Sequence, residues 1–129
     1  MDLDNFKMVN DTYGHEMGDA TLQKLSEVCR HTFREIDIVG RLGGEEFAAL
    51  LPETNIEQAV EVAERLRTAI ENAAVNLEDG SLIHFTVSIG VAGFGVEDEK
   101  IETVLKRADT ALYKAKNSGR NRVCGNDID

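Results

Sequence analysis

Apolar residues recur along this chain with two periods, and the switches between them mark its elements. Phe6, Val9 and Tyr13 fall three and four apart, the spacing of a short helix. The stretch 14–18 interrupts it, and Asp19 is placed to cap a longer helix with Leu22, Leu25, Val28, Cys29 and Phe33 on one face. Two strand-like runs, 38–42 and 47–51, follow; the second is apolar on both faces, as in a sheet interior, and Pro52 closes it. Asn55 opens a helix bearing Ala59, Val62, Ala63, Leu66 and Ile70. Residues 78–81 read as a turn. From 83 to 91, alternation puts Phe85, Val87, Ile89 and Val91 on one face and Thr86 and Ser88 on the other. A last helix over about 100–117 turns Ile101, Val104, Leu105, Ala108, Leu112 and Ala115 inward, and 122–124 reads as a short edge strand. Helices alternating with strands around one hairpin predict a single α+β sandwich with no internal repeat. A strand usually needs about five residues, yet only two or three are available before Asp4. The first strand therefore reads as largely missing.

Composition narrows the function. With 129 residues, 42% of them hydrophobic, the chain can bury a sizeable core as one domain. The formal net charge of −10 argues against a nucleic-acid polymer as partner, because a phosphate backbone repels such a surface. A small phosphorylated ligand is still compatible, since a metal ion can bridge carboxylate and phosphate. Cys29 and Cys124 lack metal-ligand spacing and suit reduced thiols. No apolar run reaches membrane-spanning length and no signal peptide is visible, so a cytoplasmic domain is expected.

Several polar residues carry candidate chemistry. Gly43-Gly44-Glu45-Glu46 lies between the two hairpin strands. Its glycines permit a tight turn, and its adjacent carboxylates repel one another unless a cation lies between them. Asp2 and Asp4 stand where a strand would hand over to a helix, the place where open sheets bind ligands. Together the two pairs fit a site where magnesium clamps phosphate oxygens; the plainer reading of Asp4 is a helix cap. Asn10 and Asp19 offer the acceptors and donor that a guanine edge needs, or simply end one helix and cap the next. Lys116 and Arg120 bracket the end of the last helix, where cations complement the helix dipole and also suit a phosphate. His15, His31 and His84 have neither triad partners nor metal spacing.

In order along the chain, Asp2-Leu3-Asp4-Asn5-Phe6-Lys7, Asn10-Asp11-Thr12-Tyr13-Gly14-His15, Gly18-Asp19, Arg41-Leu42-Gly43-Gly44-Glu45-Glu46-Phe47, Thr86-Val87-Ser88-Ile89-Gly90-Val91, Ala108-Asp109 and Lys116-Asn117-Ser118-Gly119-Arg120-Asn121-Arg122 resemble the GGDEF family of diguanylate cyclases. Glu45 replaces the common Asp with the same charge. The resemblance implies a nucleotidyl-cyclase and polymerase-palm-like fold, with a ferredoxin-like core and a central, mostly antiparallel sheet flanked by helices. It further implies a 1–129 domain lacking its N-terminal helix and most of its first strand. The implied reaction joins two GTP into cyclic di-GMP and releases two pyrophosphates, in a homodimer holding one GTP per subunit.

Carried over by position, Asp2, the Leu3 carbonyl and Glu45 bind magnesium or manganese, two ions per site, with Glu46 beside the second ion. Glu45 is also the candidate base for the ribose 3′-hydroxyl. Asn10 and Asp19 contact guanine, while Lys116, Arg120 and the backbone near Phe6 and Lys7 hold the triphosphate. Arg34-Glu35-Ile36-Asp37 resembles the family's Arg-x-x-Asp product-inhibition site, supported by Arg65. A non-catalytic module sensing GTP or cyclic di-GMP, a plain dimerisation module, or an inactive cyclase fragment are the alternatives. The resemblance also leaves room for tethering through a preceding regulatory or membrane region.

Overall fold

The computed structural model describes residues 1–95 and 100–125. Its elements are β1 (Asp2–Leu3), α1 (Phe6–Tyr13), α2 (His15–Thr32), β2 (Ile38–Gly43), β3 (Glu46–Leu50), α3 (Ile56–Glu71), β4 (Val75–Asn76), β5 (Leu82–Ile83), β6 (Val87–Val91), α4 (Ile101–Asn117) and β7 (Val123–Gly125). Five strands form the main sheet in the order β2-β3-β1-β6-β7; β4 and β5 make a separate hairpin. Every pairing in the main sheet is antiparallel except β6 with β7. Short as it is, β1 occupies the centre.

Local chemistry accounts for most boundaries. Asn55 and Gln58 form a reciprocal capping box that starts α3. Gly44, at φ +51°, turns the β2–β3 hairpin, and Arg41 Nε closes it by donating to the Gly44 carbonyl at 2.8 Å. The turn expected over 78–81 is present: Ser81 donates both N–H and hydroxyl to Asp79, holding that carboxyl below its usual range. The continuous strand expected over 83–91 is not. It divides into β5 and β6, because Leu82 and Ile83 pair back onto Val75 and Asn76 across that turn.

Leu25, Leu66, Ile70 and Val87 centre the core between the sheet and helices α2 and α3. Cys29 is buried there, which pushes its thiol up to about 11. Gly90 lets α4 close on the opposite side of β6: a Cβ there would strike the Ala108 carbonyl and the Leu112 backbone. That approach buries Ala111, Leu112 and Ala115. Ile101 and Leu105, expected to face inward, are instead 39% and 38% exposed. Leu105 borders an apolar cleft of about 770 Å³, whose walls include Ala48–Leu51 of the β3 side, Ile89–Val91 of β6, and faces of α3 and α4. Met1 and Asp2 stand at one end of this cleft, so it follows the line that β1 would take if extended backwards.

Candidate nucleotide and metal site

β1 is fastened on both sides. Met1 and Phe47 exchange main-chain hydrogen bonds of 2.7 and 2.9 Å, and Leu3 donates to the Glu45 carbonyl at 3.3 Å. On the other side Asp4 donates its N–H to Thr86 at 3.0 Å. This register sets Asp2 directly opposite Glu46 on β3 and opposite Ser88 on β6. Two carboxylates facing each other across a ladder are destabilising unless a cation lies near them. Lys116 meets part of that need, since its Nζ donates to Asp2 Oδ2. Asp2 is 3% exposed, and its Oδ1 is buried without a hydrogen-bond partner. An orphaned carboxylate oxygen in such a place is costly, and a hard cation would satisfy it. Glu45 is half-buried in the adjoining turn. The donor set thus fits a divalent ion held by oxygen: two carboxylates and the neighbouring main chain. No three His, Cys, Asp or Glu side chains converge into a complete cage among the described residues.

Asp4 is placed otherwise than a helix cap. The N-cap of α1 is Asn5, at φ 58°, with no side-chain cap bond. Asp4 is buried and accepts from Thr86 Oγ1 at 2.7 Å, Ser88 Oγ at 2.6 Å and the Asn121 N–H at 3.0 Å. With no side chain capping it, the first turn of α1 leaves N–H groups near Phe6 and Lys7 for an anion. Sequence reading missed this network, although its signal was there: two hydroxyls alternating on a buried strand require a buried acceptor.

The capping readings of Asn10 and Asp19 do not hold either. α1 runs three residues past Asn10, and α2 starts at His15 behind Gly14, leaving Asp19 exposed inside the helix. What brings the pair together is Gly18, which is buried: a Cβ there would run into the Asn10 side-chain oxygen. The amide of Asn10 therefore lies across α2 beside the residue preceding Asp19. Asp19 also lines a cleft of about 1120 Å³ between α2 and β2, together with Arg34, Asp37 and Arg41.

Lys116 and Arg120 come from the end of α4. Lys116 reaches Asp2, while Arg120 sits on an exposed turn at φ 62° with its N–H on the Ala115 carbonyl at 3.0 Å. Arg34 is clasped to Asp37 by Nη2 at 2.9 Å and Nε at 3.4 Å, and its Nη2 also donates to Pro52 O and Thr54 Oγ1, each at 2.9 Å. The Arg34 guanidinium beside Asp37 holds that carboxyl below its usual range, and Asp37 in turn raises the pKa of Arg34. Arg65 is exposed on α3, and among the described residues no hydrogen bond or ion pair joins it to Arg34 or Asp37.

Residues 1–122 match the family described as "Diguanylate cyclase, GGDEF domain". The chain belongs to the GGDEF family. Diguanylate cyclase DgcM of Escherichia coli is 45% identical over 123 residues, which cover 95% of this chain and 29% of that protein. Diguanylate cyclase A of Treponema denticola is 42% identical, covering 95% of the chain and 33% of its own length. The GGDEF domain of DgcB from Caulobacter crescentus, solved with c-di-GMP, superposes with a TM-score of 0.92 at 31% identity, covering 98% of this chain and 74% of that one. The active GGEEF domain of a Vibrio cholerae diguanylate cyclase gives 0.89 at 37% identity, over 96% and 78%. This GGDEF domain thus spans about a third of the length of those curated relatives. No helix among its described residues is long and apolar enough to cross a membrane.

Proposed function

We propose that this domain, within its longer protein, condenses two GTP molecules into cyclic di-GMP in the cytoplasm. The observation that carries this reading is Asp2, a buried carboxylate with one oxygen on Lys116 and the other unpartnered, facing Glu46 across the ladder. Asp2, the Leu3 carbonyl and Glu45 would hold magnesium or manganese, with Glu46 beside a second ion. The bound ions would supply charge neutralisation at the α-phosphate. Asn10 and Asp19 would read guanine, and the first turn of α1, Lys116 and Arg120 would seat the triphosphate. Glu45 then takes the proton of a ribose 3′-hydroxyl whose oxygen attacks the α-phosphorus of the facing GTP, and pyrophosphate leaves. A homodimer presenting one GTP from each subunit makes the two reactants near neighbours, an advantage worth about 7–11 kcal/mol.

The apolar cleft belongs to the same reading. Chain preceding Met1 in the longer protein would continue β1 between β3 and β6 and cover Leu50 and Leu105, completing the wall behind Asp2. Arg34, Asp37 and Arg65 would form a product-binding site; the Nη1 and exposed face of Arg34 are without partners among the described residues. The test is a chain extended at its N-terminus, given GTP and magnesium. One pyrophosphate per GTP and a dinucleotide product are expected. If the dimeric, extended chain binds GTP yet releases no pyrophosphate, the catalytic reading falls and a sensor takes its place.

A further inference from the structure

We infer that Asn121 is a positioning residue: its side-chain amide, held between Arg67 and Glu71 while its N–H rests on Asp4, clamps the 119–122 turn so that Arg120 is presented to the triphosphate. The inference rests on the proposed reading of Arg120 as a phosphate ligand. Three successive residues of that turn have positive φ: Gly119 at 128°, Arg120 at 62° and Asn121 at 45°. Non-glycine residues avoid this region unless surrounding contacts hold them there. Here the contacts are specific. The Asn121 N–H donates to buried Asp4 at 3.0 Å, and the Asn121 amide takes a bond from Arg67 Nη1 at 3.1 Å while donating to Glu71. Arg67 is itself steadied by Glu64 at 3.0 Å.

Asparagine suits position 121 on two counts, since it tolerates the left-handed region and offers both a donor and an acceptor. Asp4 ties the turn to β6 through Thr86 and Ser88, in the same strand pairing that sets Asp2. All this bonding converges on a surface turn with two arginines: Arg122 Nε donates to the Arg120 carbonyl at 3.0 Å, while the Arg120 guanidinium has no partner among the described residues. A buried carboxylate with three donors is thus committed to the backbone beside a free arginine. That is the layout of a preorganised anion contact.

The experiment is a double-mutant cycle read by calorimetry, titrating a non-hydrolysable GTP analogue with magnesium into four proteins: unaltered, Arg120→Ala, Asn121→Gly and the double variant. Glycine at 121 keeps the turn's φ accessible and its main-chain N–H on Asp4 while removing the side-chain bonds to Arg67 and Glu71, so the fold is expected to survive; a melting curve checks it. Arg120→Ala should weaken the analogue about tenfold, the scale of one charge-assisted contact. Asn121→Gly should weaken it by most of that factor, and the double variant should be no weaker than Arg120→Ala. GMP, which lacks the outer phosphates, should bind all four alike. Full affinity in Asn121→Gly, losses that multiply in the double variant, or an equal loss for GMP would each overturn the inference. Unchanged affinity in Arg120→Ala would instead overturn Arg120 as a phosphate ligand, a failure visible in that single variant.

Discussion

The phosphate end of the proposed site and its guanine end are built by opposite means. At the phosphate end, Asp2 and Asp4 are buried, Lys116 is paired, and the Arg120 turn hangs on main-chain and side-chain bonds. At the guanine end, Asp19 is exposed on α2 and Asn10 is steadied by an absence, the missing side chain of Gly18. The first arrangement fixes charges where a reaction needs them in place before substrate arrives. The second leaves recognition groups free to adapt, and changing them costs the fold little. A substitution's effect on stability and on turnover should therefore divide according to the end it touches.

The sharpest separation is expected from Glu45→Gln. Glu45 is half-buried in the hairpin turn and its side chain makes no hydrogen bond or ion pair among the described residues, so stability should hardly change. Turnover by the extended dimer should fall about 10²–10⁴-fold, the usual contribution of a positioned base, while the GTP analogue still binds. Pyrophosphate release read beside a melting curve checks both halves; a parallel loss of fold would place Glu45 in the scaffold. Gly90→Ala strikes the scaffold itself. The added methyl meets the backbone of α4, which cannot rotate away, and α4 carries Lys116 and leads into Arg120. A loss of about 1–3 kcal/mol or more is expected in urea titrations, as for overpacked cores, together with weaker GTP binding.

Gly18→Ala should reverse the sign. Its methyl meets only the tip of the Asn10 side chain, which can swing aside, and alanine favours a helix interior over glycine by about 1 kcal/mol. Stability should hold or rise slightly while guanine recognition weakens several-fold, seen as poorer discrimination of GTP from ATP in competition binding. If Gly18→Ala destabilises as much as Gly90→Ala, the guanine end is as rigid as the phosphate end and the contrast between them is lost.

Sequence alone resolved the elements with strong periodicity or explicit caps: α3 from Asn55, α4 to Asn117, the hairpin at Gly43–Gly44 and the turn at 78–81. It went astray where polar residues had more than one local use. Asp4, Asn10 and Asp19 are all good capping residues, but only tertiary contacts show that Asp4 serves Thr86, Ser88 and Asn121 and that Gly14 alone breaks α1 from α2. Gly18 and Gly90 were equally illegible, because close approach between helices, or of helix to strand, leaves no periodic trace. The motif order carries the family, whereas the support behind the motif lies in tertiary contacts far apart in sequence, such as Asp4 with Ser88 and Asn121.

The Arg34–Asp37 clasp tests whether a half-exposed arginine over a covered carboxylate gives the rigidity of the phosphate end. It shares a cleft with Asp19, yet Arg34 is half exposed and reaches across to Pro52 and Thr54. The arginine's hydrogen bonds hold the Asp37 carboxyl below its usual range. With the native value depressed, the clasp adds stability above the unfolded carboxylate's pKa of about 4 and loses it as pH falls through the native value. Arg34→Ala should return Asp37 to the ordinary carboxylate range, read by carboxyl NMR titration, and remove that acid-side dependence. The effect at neutral pH should be slight, since the Arg34 guanidinium is half exposed and screened, and the covered Asp37 carboxylate keeps the main-chain N–H of residue 34. A large neutral-pH loss would show instead that the ties to Pro52 and Thr54 anchor the base of the hairpin, making this exposed corner part of the rigid end.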